Sequence, residues 1–161
     1  MPKAIAPKGF GAPLGMYSHG MIAAGGELVV VAGQVGIRSD GTLAGPDAGA
    51  QTRQALENVR AVVQAGGASM RDVVRLQTFL TRAEDIPEFM KARAETFPRL
   101  FADGAYPPNT LLVVSGLVRP ELLVEIEAMA VRSGPARRPV VSRKKAERRA
   151  PGRRARTRGR R

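Results

Sequence analysis

The stretch YPPNTLLVVSGLVRPELLVEIEAMAV, residues 106–131, decides the fold. It reads as two apolar strands joined by a connection that contains Gly116 and Pro120. In the second strand Val124, Ile126, Ala128 and Ala130 fall on one face, and Glu125 and Glu127 on the other. The same alternation puts Asn109, Leu111, Val113 and Ser115 on one side of the first strand. Carboxylates within an apolar strand are costly to bury unless something pairs with them or uses them. Glu125 is therefore a candidate for orienting water or accepting a hydrogen bond. The other reading is a carboxylate paired with a basic residue in a subunit interface.

Working back toward the amino terminus, Leu28 to Ile37 is a β-rich run that ends near Asp40-Gly41, a dipeptide favouring tight hairpin turns. Asp47 is a good N-cap for a following helix, in which Thr52, Leu56, Val59 and Val63 share a face widened by Ala55 and Val62. Gly66-Gly67 supplies a left-handed stop, and Ser69 with Asp72 resembles a capping box. Val73 to Leu80 is a third strand. A second helix opens at Asp85 with Glu88 three residues on, again a capping-box pattern. Its apolar face runs through Ile86, Phe89, Met90, Phe97, Leu100 and Phe101, and Pro98 should kink or interrupt it. The order β(β)-α-β-α-β-β predicts an α+β domain of two layers, two helices against one mixed sheet. Gly33 and Gly36 read as strand bends with close backbone approach rather than a phosphate cradle.

Charge divides the chain sharply. Residues 1–132 hold 13 Lys/Arg and 13 Asp/Glu, whereas residues 133–161 hold 13 Lys/Arg and a single acid, Glu147. The net charge of +12 therefore belongs to the last segment. Residues 1–132 are expected to form one domain and residues 133–161 a disordered basic tail, because the tail has too little large apolar surface to offset its ordering entropy. An Arg-rich segment neutralises phosphates without reading sequence, so nonspecific RNA, DNA or another polyanion is a candidate partner. A merely solubilising extension is the other reading.

Cysteine is absent, which removes a disulfide framework and a thiol nucleophile. His19 is the only histidine, which argues against a zinc site and a Ser/His/Asp triad, and it reads as a turn or strand residue. No metal and no organic cofactor is expected. The amino terminus has no apolar h-region, and no apolar run approaches the ~18 residues that span a bilayer. The expected compartment is the cytoplasm.

Four segments carry a family resemblance: Gly15-Met-Tyr17-Ser-His19-Gly20, Ala32-Gly33-Gln34, the helix Gln51 to Gly66, and Val124-Glu-Ile-Glu-Ala-Met-Ala130. In order and spacing they resemble the RidA/YjgF family of small trimeric proteins, which includes enamine/imine deaminases. The resemblance implies a chorismate-mutase-like fold, a homotrimer, and small-molecule sites in clefts between subunits. It also implies that Glu125 positions water, that Tyr17 closes the cleft, and that Gly33 and Gln34 contact the ligand. The position of the family's carboxylate-binding arginine falls on Asn109, its frequent cysteine on Leu111, and the serine before Gly33 on Ala32. A guanidinium holds a carboxylate through two charge-assisted bonds of ~1.5–3 kcal/mol each, against ~0.5–1.5 for a neutral amide. Arg93, four residues from both Phe89 and Phe97, is a candidate to supply the anion site that Asn109 lacks. The alternative is an arginine whose stem packs while its head reaches water.

Two functions follow. One is a trimer that binds a small metabolite and, if catalytic, hydrolyses enamines or imines to carbonyl compounds and ammonia. The other is a non-catalytic ligand-binding or nucleic-acid-associated trimer that works through its basic tail.

Overall fold

A computed structural model describes residues 1–23, 25–132 and 134 of the chain. The basic segment assigned to 133–161 thus lies outside the described residues, Gly134 excepted. Six strands and two helices follow in the order β1 (Lys3–Ile5), β2 (Gly20–Ile22), β3 (Glu27–Val35), α1 (Ala48–Ala65), β4 (Val73–Leu80), α2 (Ile86–Leu100), β5 (Asn109–Val113) and β6 (Val124–Arg132). β3, β6, β4 and β5 form one sheet in that spatial order, and β1 and β2 a separate antiparallel pair. β6 runs antiparallel to both its neighbours, while β4 and β5 are parallel, so the sheet is mixed. The fold is α+β, with both helices packed on one face.

The expected apolar face of β6 is the core: Val124, Ile126, Ala128 and Ala130 are buried with Val31, Leu76 and Leu80 of neighbouring strands. From α1 the same cluster takes Ala55, Leu56, Val59 and Val63; from α2 it takes Phe89, Phe97 and Leu100. Val62 and Met90, read as part of the inward helix faces, instead lie at the surface, 37% and 39% exposed. Gln51 and Arg93 take inward positions, so each helix buries polar reach where the apolar pattern had been drawn wider.

The signals for chain reversal hold with two corrections. Asp47 caps α1, its Oδ1 accepting from Ala50 N–H at 2.7 Å. Gly67 lies at φ +75°, and Asp72 accepts from the Ser69 N–H and hydroxyl, each at 2.8 Å. Asp85, by contrast, makes no side-chain cap to α2. Its carboxylate is taken by Arg82 through bonds of 2.7 and 3.0 Å, which outcompete a neutral backbone donor. Pro98 does not interrupt α2 either. It faces outward in the last turn, its missing N–H forfeits a single helix bond, and the helix runs on to Leu100.

The fully buried Gln51 holds the connection before β6. Its Nε2 donates to the carbonyls of Gly45 at 3.1 Å and Glu121 at 2.9 Å, and its Oε1 accepts from Leu123 N–H at 2.8 Å. Gln51→Leu keeps the bulk but strands three backbone groups, and each such group costs ~1–3 kcal/mol. The expected loss is about 3 kcal/mol or more, read as a lower midpoint of urea unfolding at unchanged slope.

Candidate functional site

On the sheet face away from the helices, Glu125 stands opposite Val35 of β3 and Phe79 of β4. Between Val31 and Gln34 the β3–β6 register slips, so that β3 advances three residues while β6 advances two. The extra residue is a β-bulge at Ala32-Gly33, and it bends the strand toward Glu125. A Cβ on Gly33 would lie 1.7 Å from Glu125 Oε1 and 2.5 Å from its Cδ. The carboxylate therefore rests on the glycine backbone, as close approach at this position had suggested. Gly36 makes a second close approach, to Gln51 of α1, where a Cβ would meet the Gln51 Cβ at 2.6 Å. Gln34 folds back locally, its Nε2 donating to the Ala32 carbonyl at 3.1 Å. Among the described residues neither Glu125 nor Glu127 has an ion-pair partner.

Asn109 opens β5 on the other side of the sheet. Thr78 lies opposite both the core residue Ile126 and Leu111, so Leu111 shares the helix-facing side, and Leu111 packs against the core. The Thr78 hydroxyl donates to Asn109 Oδ1 at 3.0 Å, which fixes the amide on that same side. Thr78 went unnoticed in the sequence, although its place two residues before Leu80 on an alternating strand marks it as inward. Thr78 thus takes the amide oxygen of Asn109 and leaves its NH2 group as the donor side.

Arg93 completes this second group, and its head does not reach water. The residue is only 4% exposed, with the guanidinium carbon 4.4 Å from the centre of the Phe97 ring. Nη2 donates to the Met16 carbonyl, Nη1 makes a long contact of 4.0 Å with Met90 Sδ, and Nε is buried without an acceptor. Burial draws the guanidinium pKa down to about 10, with Tyr17 pulling it weakly back up. It remains a cation at neutral pH, and among the described residues no carboxylate pairs with it. Tyr17 sits in the adjoining segment, its hydroxyl accepting from Leu14 N–H at 3.4 Å and its ring edge-on to His19 at 6.5 Å. The Ser18 hydroxyl donates to the Tyr106 carbonyl at 2.5 Å, which ties this segment to the entry of β5.

One chain thus separates the seven candidate residues into two groups. Gly33, Gln34 and Glu125 belong to the β3–β6 pair, and Tyr17, Arg93, Asn109 and Leu111 to the β5–α2 edge. Two hollows in the surface hold none of the seven. One, of about 110 Å³, is lined by Val30, Arg75, Gln77, Glu127 and Met129 among others. The other, of about 460 Å³, lies over the 115–123 connection.

The chain as a whole is matched in known proteins. A family model described as Endoribonuclease L-PSP matches residues 9–132. This chain belongs to that family, the RidA/YjgF family. It is 32% identical over 134 residues to the 2-iminobutanoate/2-iminopropanoate deaminase of Salmonella typhimurium, covering 82% of this chain and 99% of the relative. The Escherichia coli protein of the same name is 31% identical over the same shares. Among solved structures, the Rid-family protein YyfB of Yersinia pestis superposes with a TM-score of 0.72 at 34% identity, covering 81% of this chain and 98% of that one. E. coli TdcF, solved with bound serine, superposes at 0.61 with 30% identity, covering 81% and 99%. Among the described residues no helix is long and apolar enough to cross a membrane.

Gly33→Ala has a definite expected outcome. The added methyl must expel the Glu125 carboxylate or shift the bulge, an overpacking cost of about 1–3 kcal/mol. Thermal unfolding of Gly33→Ala should fall by several degrees, and the double change Gly33→Ala/Glu125→Ala should recover most of that loss.

Proposed function

We propose that residues 1–132 act as a homotrimeric imine deaminase that hydrolyses small 2-imino compounds in clefts between subunits. The observation that carries this reading is the unpaired Glu125 carboxylate seated on Gly33, poised outward from a rigid central strand. Two features support assembly. The candidate residues divide between two sides of one chain, so a single copy does not gather them. The sheet face bearing Glu125 also leaves large apolar side chains uncovered, Leu28 at 61% and Val30 at 62% exposure. The deaminase relatives and the serine held by TdcF point to small molecules of this class.

In the proposed reaction the imine nitrogen enters protonated, which makes its carbon electrophilic. Glu125 accepts a proton from water as the oxygen attacks that carbon, giving a carbinolamine. The same carboxylic acid then returns the proton to the nitrogen, ammonia leaves, and the regenerated Glu125 carboxylate takes the hydroxyl proton as the C=O bond forms. Tyr17 covers the substrate, the NH2 group of Asn109 orients it, and the backbone at Gly33 contacts it. No metal or organic cofactor enters these steps.

The deciding measurement is hydrolysis of 2-iminobutanoate generated in situ. Wild type should accelerate it, and Glu125→Ala should lower the rate at least about 100-fold, the scale of general-base assistance. A wild-type protein without acceleration, matched by an equally silent Asn109→Arg, would sink the reading.

The charge of residues 133–161 favours a second activity, attachment to polyanions. Deleting that segment should abolish salt-sensitive retention on RNA or DNA while leaving turnover unchanged. Retention that survives the deletion would assign it elsewhere on the molecule.

A further inference from the structure

Among the described residues Arg93 is a buried cation without a counter-ion, and the geometry of its guanidinium says what would complete it. Nε–H and the adjacent Nη2–H point from the same edge of the group, the edge that matches the two oxygens of a carboxylate. Nη2 already donates to the Met16 carbonyl, whereas Nε is buried with no acceptor. A carbonyl is a neutral acceptor, so the charge itself remains uncompensated. Leaving an unpaired charge in such a place is costly unless the fold uses it. The Phe97 ring beneath the guanidinium holds its plane, and the segment from Gly15 to Ser18 covers it.

We propose that Arg93 is the carboxylate receptor of this protein, taking on helix α2 the part that an arginine on β5 would play. A carboxylate displaces the Met16 carbonyl and takes Nε and Nη2 together. The Gly15–Ser18 segment, with Tyr17 in it, shifts outward to admit the ligand and closes over it. Asn109, its oxygen held by Thr78, turns its amide N–H groups to the neutral end of the same molecule. The ligand class that fits is a small monocarboxylate with a carbonyl or imine at C2. Recognition of the acid at Arg93 rests on the proposed cleft, but its test is independent of turnover.

The probes are 2-oxobutanoate and its uncharged counterpart 2-oxobutanamide, titrated calorimetrically into the full chain. Wild type should bind the acid at least 10-fold more tightly than the amide. Arg93→Gln should weaken the acid by about 10- to 100-fold, the value of a charge-assisted pair, and leave the amide unchanged. Arg93→Lys keeps the charge without the two-pronged edge, so it should fall between the two. If Arg93→Gln fails to fold, judged by far-UV circular dichroism, Arg93→Lys carries the comparison and must still lose affinity for the acid. Equal weakening of acid and amide would make Arg93 only a tie for the amino-terminal segment. A wild type that does not prefer the acid, or variants that keep the preference, would overturn the proposal outright. Acid binding through Arg93 in a protein that hydrolyses no imine would leave this inference standing and remove the deaminase reading. Turnover with an unchanged KM in Arg93→Gln would do the reverse.

Discussion

The three hydrogen bonds of Gln51 hold the rest of the structure in place. A side-chain amide with no solvent contact bonds two carbonyls and one N–H, all from backbone that belongs to no regular element. Buried loop backbone must find partners somewhere, and here one side chain supplies them. Through it α1 fixes both the turn that leaves the β3 side of the molecule and the connection that enters β6. The register of β6 follows from that entry, and a strand shifted by one residue would exchange Ile126 for Glu125 in the core.

The bulge at Ala32-Gly33 is the counterpart on the opposite strand. It lets β3 bend over the carboxylate without a side chain in the way, so Glu125 keeps its position with no basic residue among the described ones to hold it. A carboxylate held by shape rather than by charge keeps its lone pairs free for a reacting proton. Arg93 shows the same logic with the opposite sign. Its plane is set by an aromatic ring and one carbonyl, while among the described residues no carboxylate meets its charge.

Much of this was legible in the sequence because the signals were periodic. The alternation of Val124, Ile126, Ala128 and Ala130 fixed a core face, and Asp47, Gly67 and Val73 to Leu80 fell where the pattern put them. Other features had no periodic signature. The β1–β2 pair is three residues long on each side, too short for alternation to register. Asp85 looked like a cap until Arg82, three residues before it, claimed the carboxylate. Arg93 reads in one dimension as a long side chain with water in reach. Only the folded amino-terminal segment, laid across α2, encloses it. Gln51 sits on the edge of a helical stripe, and nothing local says that residues 70 and more positions away will need its amide.

The sheet order has a consequence for how the protein is made. β6 is hydrogen-bonded on both sides, yet it is the last strand among the described residues. Until it is synthesised, β3 and β4 have no common partner, and each presents an open row of backbone donors and acceptors. Helices α1 and α2 can form early from local contacts, but the layer they pack against closes only when β6 threads between two others already present. The strand that carries Glu125 is thus also the one that turns a collapsed chain into a folded one.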